Sequence, residues 1–100
     1  MRVISQKLRD SAKGRDCTLR LDGCCFDPET TVLAHLPCGQ KGTAMKSPDN
    51  MGVFACRECH AKIDGPNRWE VPAEDYLRAL AETQLRWIEM GLLKVAGVRV

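Results

Sequence analysis

One hundred residues with 44% apolar and 28% charged side chains describe one ordinary globular domain, near the lower size at which a single core is comfortable. No apolar run approaches the roughly 20 residues of a membrane span, and the opening MRVISQKLRD lacks the apolar stretch of a secretory signal. The expectation is a cytoplasmic protein with reduced thiols. A net charge of +2 does not by itself point to a nucleic-acid partner.

The first fourteen residues read as a basic, weakly helical arm, with Val3, Ile4 and Leu8 as its apolar positions and Gly14 closing it. Residues 1–20 carry six cations (Arg2, Lys7, Arg9, Lys13, Arg15, Arg20) against two acids (Asp10, Asp16). Such an arm suits either phosphate contact or a solvated face. Thr18–Leu21 (TLRL) reads as a short strand entering a turn at Asp22-Gly23. Thr30–Leu36 (TTVLAHL) is β-branched and apolar, a strand that Pro37 stops. Residues 38–50, with two glycines and a proline, are a loop, and Met51–Ala55 is a second strand. Helical patterning begins after Cys56 and ends at Gly65-Pro66. The clearest helix runs from Pro72 to about Gly91, with Leu77, Leu80, Ala81, Leu85 and Ile88 on one face at the 3.6 period and Glu74 and Asp75 at its positive end. Trp69 and Trp87 are expected to enlarge the core. The fold class is α+β in one domain: a basic arm (1–14), a cysteine-rich strand-loop-strand-helix core (15–66) and a C-terminal helix (72–93).

Six cysteines in a reducing compartment point to metal rather than disulfides. Cys56-x-x-Cys59 is a knuckle whose turn aims two sulfurs at one tetrahedral ion. Cys17 and Cys25, flanking the TLRL strand and its turn, are the expected second pair, with Cys24 and then Cys38 in reserve. A structural zinc is the expected occupant, since so short a chain gains much from a metal staple.

The same segment carries more donors. His60 is about 100° round the helix from Cys59, whereas Asp64, four residues on, shares its face. This pair is half a site for a divalent cation. The other half is expected from His35 at the end of the first strand and from Asp49 and Asn50 before the second.

His35, Asn50 and His60, with Cys-x-x-Cys running into the last histidine, resemble the HNH nuclease motif on a ββα-metal (His-Me) finger. More closely, GRDC, GCC, PETTVLAH, KSPDN and ACRECHAKID, in that order, are similar to the small prophage nucleases of the YbcO-like family. That family is related to the phage recombination-enhancement nuclease that acts on RecA-coated DNA. The likeness covers roughly residues 13–93.

The resemblance implies a zinc-stapled, metal-dependent DNA endonuclease in which His35 is the general base, His60 holds the catalytic ion, and Asn50 orients the loop or binds metal. Asp49 is chemically the better ligand, being anionic and hard. Relatives often carry an acid directly before the first histidine and a histidine or asparagine at the helix end, where this chain has Ala34 and Asp64. The expected sphere is therefore Asp49, His60 and Asp64 around magnesium or manganese. Lys41, Lys46 and Arg57 are the expected phosphate contacts, and the implied partners are DNA and a recombinase filament. The competing reading is a zinc-stabilised DNA-binding or adaptor module without chemistry.

Overall fold

The computed structural model describes residues 3–37 and 47–98. Five main elements follow one another: α1 (Gln6–Ser11), β1 (Val32–His35), β2 (Gly52–Ala55), α2 (Arg57–Asp64) and α3 (Ala73–Glu89), with single 3-10 turns at Pro28–Thr30, Asp49–Met51 and Arg68–Glu70. This is a small α+β domain: a two-stranded hairpin followed by a short helix, with a long C-terminal helix. No helix of the described residues is long and apolar enough to cross a membrane.

β1 and β2 pair antiparallel, Leu33 opposite Phe54, Ala34 opposite Val53 and His35 opposite Gly52. Alternation along each strand sends these pairs to opposite faces. Ala34, Leu36, Val53 and Ala55 pack with Cys17, Leu19, Cys56, Cys59 and Ile63 on the α2 side. Leu33 and Phe54 pack with Leu8, Ala12 and Trp87 on the α1 side, where Phe54 and Trp87 meet edge to face at 6.0 Å. Gly52 is required by this close approach, because a Cβ there would lie 2.7 Å from Leu33 Cδ1.

Several expectations are corrected. The TLRL segment is not a strand: Arg20 sits at φ 48°, and the backbone follows the helix instead. Arg20 forks onto Glu82 at 2.8 and 2.7 Å, while Arg78 donates to the Leu19 carbonyl at 2.5 Å. One sheet-like bond survives, from the Thr18 N–H to the Phe54 carbonyl at 2.7 Å.

The buried face of α3 is Ala79, Thr83 and Trp87, while Leu77 (67% exposed) and Leu85 point outward. Thr83 is inside because its hydroxyl accepts the Phe54 N–H and meets the Thr18 hydroxyl, both at 3.2 Å. It takes the hydrogen bonds that a third strand would make. Trp87 is wholly buried, its indole N–H donating to Ser11 Oγ at 2.7 Å, but Trp69 is 66% exposed and adds nothing to the core. Among the described residues of the N-terminal arm only Gln6–Ser11 is helical, capped by the Ser5 side chain.

Candidate functional site

Three groups of side chains gather around the hairpin. The first is a cluster of sulfurs: Cys17, Cys24, Cys56 and Cys59 lie within 4.8 Å of one another. Cys56 precedes α2 and Cys59 occupies its first turn. Gly23, at φ 85°, makes the tight turn that brings Cys24 to 3.6 Å from Cys56. Lys62 pins that turn to α2 by donating to the Asp22 carbonyl at 2.6 Å. Sulfurs bound tetrahedrally at about 2.3 Å stand about 3.8 Å apart, so the spacing fits a zinc ion. The chemistry of the donor set agrees: burial, with the Cys56 and Cys17 sulfurs, pushes the Cys24 thiol up to about 11, so the four would all be thiolates only around a cation.

The fourth sulfur therefore belongs to Cys24, and the expected Cys25 is corrected. Phe26, at φ 52°, turns the chain there, and the Cys25 sulfur rests 3.5 Å from the Thr30 hydroxyl. Adjacent cysteines at a turn carry no periodic signal to separate them. Cys38 lies outside the described residues.

The second group is centred on Asp49, which is 1% exposed. Its Oδ1 lies 2.7 Å from His35 Nε2 and accepts from Arg9 Nη2 at 3.2 Å. Its Oδ2 accepts from Arg9 Nε at 2.9 Å and from the Ser5 N–H at 2.7 Å. The Asp49 N–H donates to the Val3 carbonyl at 2.9 Å, tying the turn to the chain entering α1. Burial alone would raise the Asp49 carboxyl, but the hydrogen bonds from Arg9, His35 and Ser5 prevail and hold it at about 2. An ionised carboxylate only accepts, so His35 Nε2 carries a proton, and in the neutral ring the lone pair falls on Nδ1. Among the described residues no hydrogen bond occupies Nδ1.

The third group is His60 with Asp64, on one face of α2, Nε2 to Oδ2 at 2.9 Å, both partly exposed. The expected triple of Asp49, His60 and Asp64 is thus not assembled. The sulfur cluster is the only group of three or more such donors among the described residues, and both Asp49 oxygens are already taken. Instead there are two histidine–carboxylate pairs. His35 shares the Leu33 side of the hairpin by strand alternation, and α2 packs through Cys59 and Ile63 on the other.

Asn50 donates nothing to these pairs. Its carbonyl accepts from Gln84 Nε2 at 3.0 Å, and its Oδ1 is buried without a partner. Ala34 is wholly buried. Arg57 is exposed and pairs with Glu58 at 3.3 Å. Lys41 and Lys46 lie outside the described residues. Sequence reasoning missed Arg9 as a site residue: it was one of six cations in residues 1–20, and only the fold brings it to Asp49.

Comparison with known proteins places this geometry in context. A family model described as "Putative nuclease YbcO" matches residues 6–94. Two curated proteins, "Putative nuclease YbcO" of Escherichia coli (strain K12) and "Putative nuclease ybcO" of Enterobacteria phage 82, are each 39% identical over 92 residues. The match spans 87% of this chain and 96% of each relative. A solved structure titled "Structure of a putative bacteriophage protein from Escherichia coli str. K-12 substr. MG1655" superposes with a TM-score of 0.64 at 34% identity. It covers 85% of this chain and 100% of that one.

Proposed function

The chain belongs to the YbcO nuclease family, and on that premise we propose that it is a metal-dependent DNA endonuclease of the HNH type whose general base is His35. The observation that carries the reading is the buried Asp49 carboxylate 2.7 Å from His35 Nε2. A base must offer a fixed lone pair and tolerate the charge it gains. Asp49 does both: it keeps the proton on Nε2, and it stabilises the imidazolium formed when Nδ1 removes a proton from water. The water oxygen then bonds to phosphorus as the opposite P–O bond breaks, and the leaving oxygen takes a proton from solvent water while the proton on His35 Nδ1 is later returned to solvent.

His60 and Asp64 are the residues that would hold magnesium or manganese. The fit is chemical: one imidazole and one carboxylate, partly exposed, leave most of the coordination shell to water and phosphate oxygens, as such ions prefer. An ion there would supply positive charge to a phosphate on the α2 side of the hairpin, across from the side that His35 shares with Leu33. Zinc on Cys17, Cys24, Cys56 and Cys59 holds the two ends of the core together. Arg57, Lys41 and Lys46, with the basic arm, grip the DNA backbone. The phage relative supports a role in phage or prophage DNA processing, with a recombinase filament as a partner to test.

The test is plasmid nicking with magnesium or manganese, with and without a recombinase filament, by the parent and by His35→Ala. Loss of cutting in a variant that keeps its fold and zinc is the expected result. Equal DNA binding with no cutting by either protein would replace the enzyme with an adaptor module.

A further inference from the structure

We propose that Arg9 is a positioning residue of the active site, acting on His35 through Asp49, so that α1 belongs to the catalytic apparatus as well as to the basic arm. The kinetic half of this inference rests on the nuclease reading above; the structural half does not.

The argument begins with the acceptor count. A carboxylate offers about four lone-pair sites, and Asp49 receives four contacts: two from Arg9, one from Ser5 and one from His35. All its sites are used, so the group has one orientation. The imidazole that bonds to it inherits that orientation. Arg9 supplies half of the contacts and touches both oxygens, through Nε at 2.9 Å and Nη2 at 3.2 Å. A planar guanidinium meets both oxygens through two parallel N–H groups on separate nitrogens, a fixed match that an ammonium, with its three donors on one rotating nitrogen, does not reproduce.

Exposure distinguishes this pair from an ordinary surface bridge. The Arg9 side chain is 37% exposed, His35 14% and Asp49 1%. Exposed ion pairs contribute little because water competes for both members. Here the acid is shut away, and removing its cation leaves a buried, under-satisfied charge. Such a carboxylate rotates or takes a proton, and either change frees the His35 ring. The charged or titratable groups facing Asp49 are the Arg9 guanidinium from α1 and the His35 imidazole from β1. The Ser5 cap adds a neutral N–H, and the turn bearing Asp49 adds the uncharged Asn50.

The experiment uses the full, metal-loaded chain and two variants, Arg9→Lys and Arg9→Ala, with thermal melting and zinc content as fold controls. Long-range proton–nitrogen NMR reads the imidazole tautomers. The chain has only two histidines, so a His60→Ala spectrum assigns His35. The parent should show one His35 tautomer, protonated at Nε2. Both Arg9 variants should show a mixture, and both should lose tenfold or more in kcat with little change in KM for DNA. An unchanged His35 tautomer in Arg9→Ala would overturn the proposal and leave Arg9 as a staple for α1. Parental kcat in Arg9→Lys, with loss only in Arg9→Ala, would overturn it in favour of a plain phosphate cation. Should the parent cut no DNA, the tautomer alone decides this inference while the nuclease reading fails separately. Should Arg9→Ala not fold, Arg9→Lys carries both readouts.

Discussion

Replacing Asp49 with asparagine removes one charge from the most enclosed acid in the molecule, and its cost can be worked out. The carboxyl is held at about 2 against an ordinary 3.8: burial pushes it upward, but the donors from Arg9, His35 and Ser5 overcome that. Such a depression corresponds to about 2.5 kcal/mol of stability at neutral pH. Because Asp49 is 1% exposed, solvent screening takes little from this figure. The folded-state value is the lower one, so the stabilisation is complete above the unfolded value of 3.8. It is lost as pH falls through about 2.

For a chain of this length, Asp49→Asn should melt roughly 10–20 °C below the parent. Urea denaturation of both proteins from pH 8 downward should show a constant gap to about pH 5 that closes in stronger acid. Measuring a gap between two proteins cancels the acid release of cysteine-bound metal, which is common to both. A gap below about 1 kcal/mol would refute the reasoning. So would one that widens as pH falls from 8 to 6, where histidines ordinarily titrate; a protonated imidazole rather than the guanidinium would then be the principal partner.

Cys24→Ser should lose stoichiometric zinc and melt ~10 °C or more lower, whereas Cys25→Ser should keep both; metal analysis alongside calorimetry separates them, and the opposite ranking would reinstate Cys25. Thr83→Val keeps the volume but strands the Phe54 N–H, at a cost of about 1–3 kcal/mol in chemical denaturation with no change in the His35 tautomer. Asp64→Ala should raise the manganese concentration for half-maximal cutting at least about tenfold, and an unaltered manganese curve would remove Asp64 from the ion.

What the sequence discloses is what short-range chemistry controls. The Cys-x-x-Cys turn, the strand ending at His35 and the helix ending at Gly65 each carry their cues within a few residues. α3 is legible in extent but not in orientation. Its buried stripe of Ala79, Thr83 and Trp87 looks less apolar than the leucine stripe it leaves outside, because Thr83 is there to satisfy a backbone edge. Asp49 has the residue type of a metal ligand, and nothing local reveals that Arg9, forty positions earlier, has claimed it. Trp69 shows the same limit from the other side, since an indole predicts burial and a 3-10 turn at Arg68–Glu70 carries it outward.

The contacts that orient His35 span 44, 40 and 14 positions of chain, and the sulfur cluster joins Cys17 to Cys59. A chain still emerging from the ribosome therefore holds the imidazole but not its acceptor, and the acceptor only after residue 49 has cleared the exit tunnel and met the N-terminal helix. The oriented imidazole is thus a property of the finished fold, which no partly synthesised chain can hold.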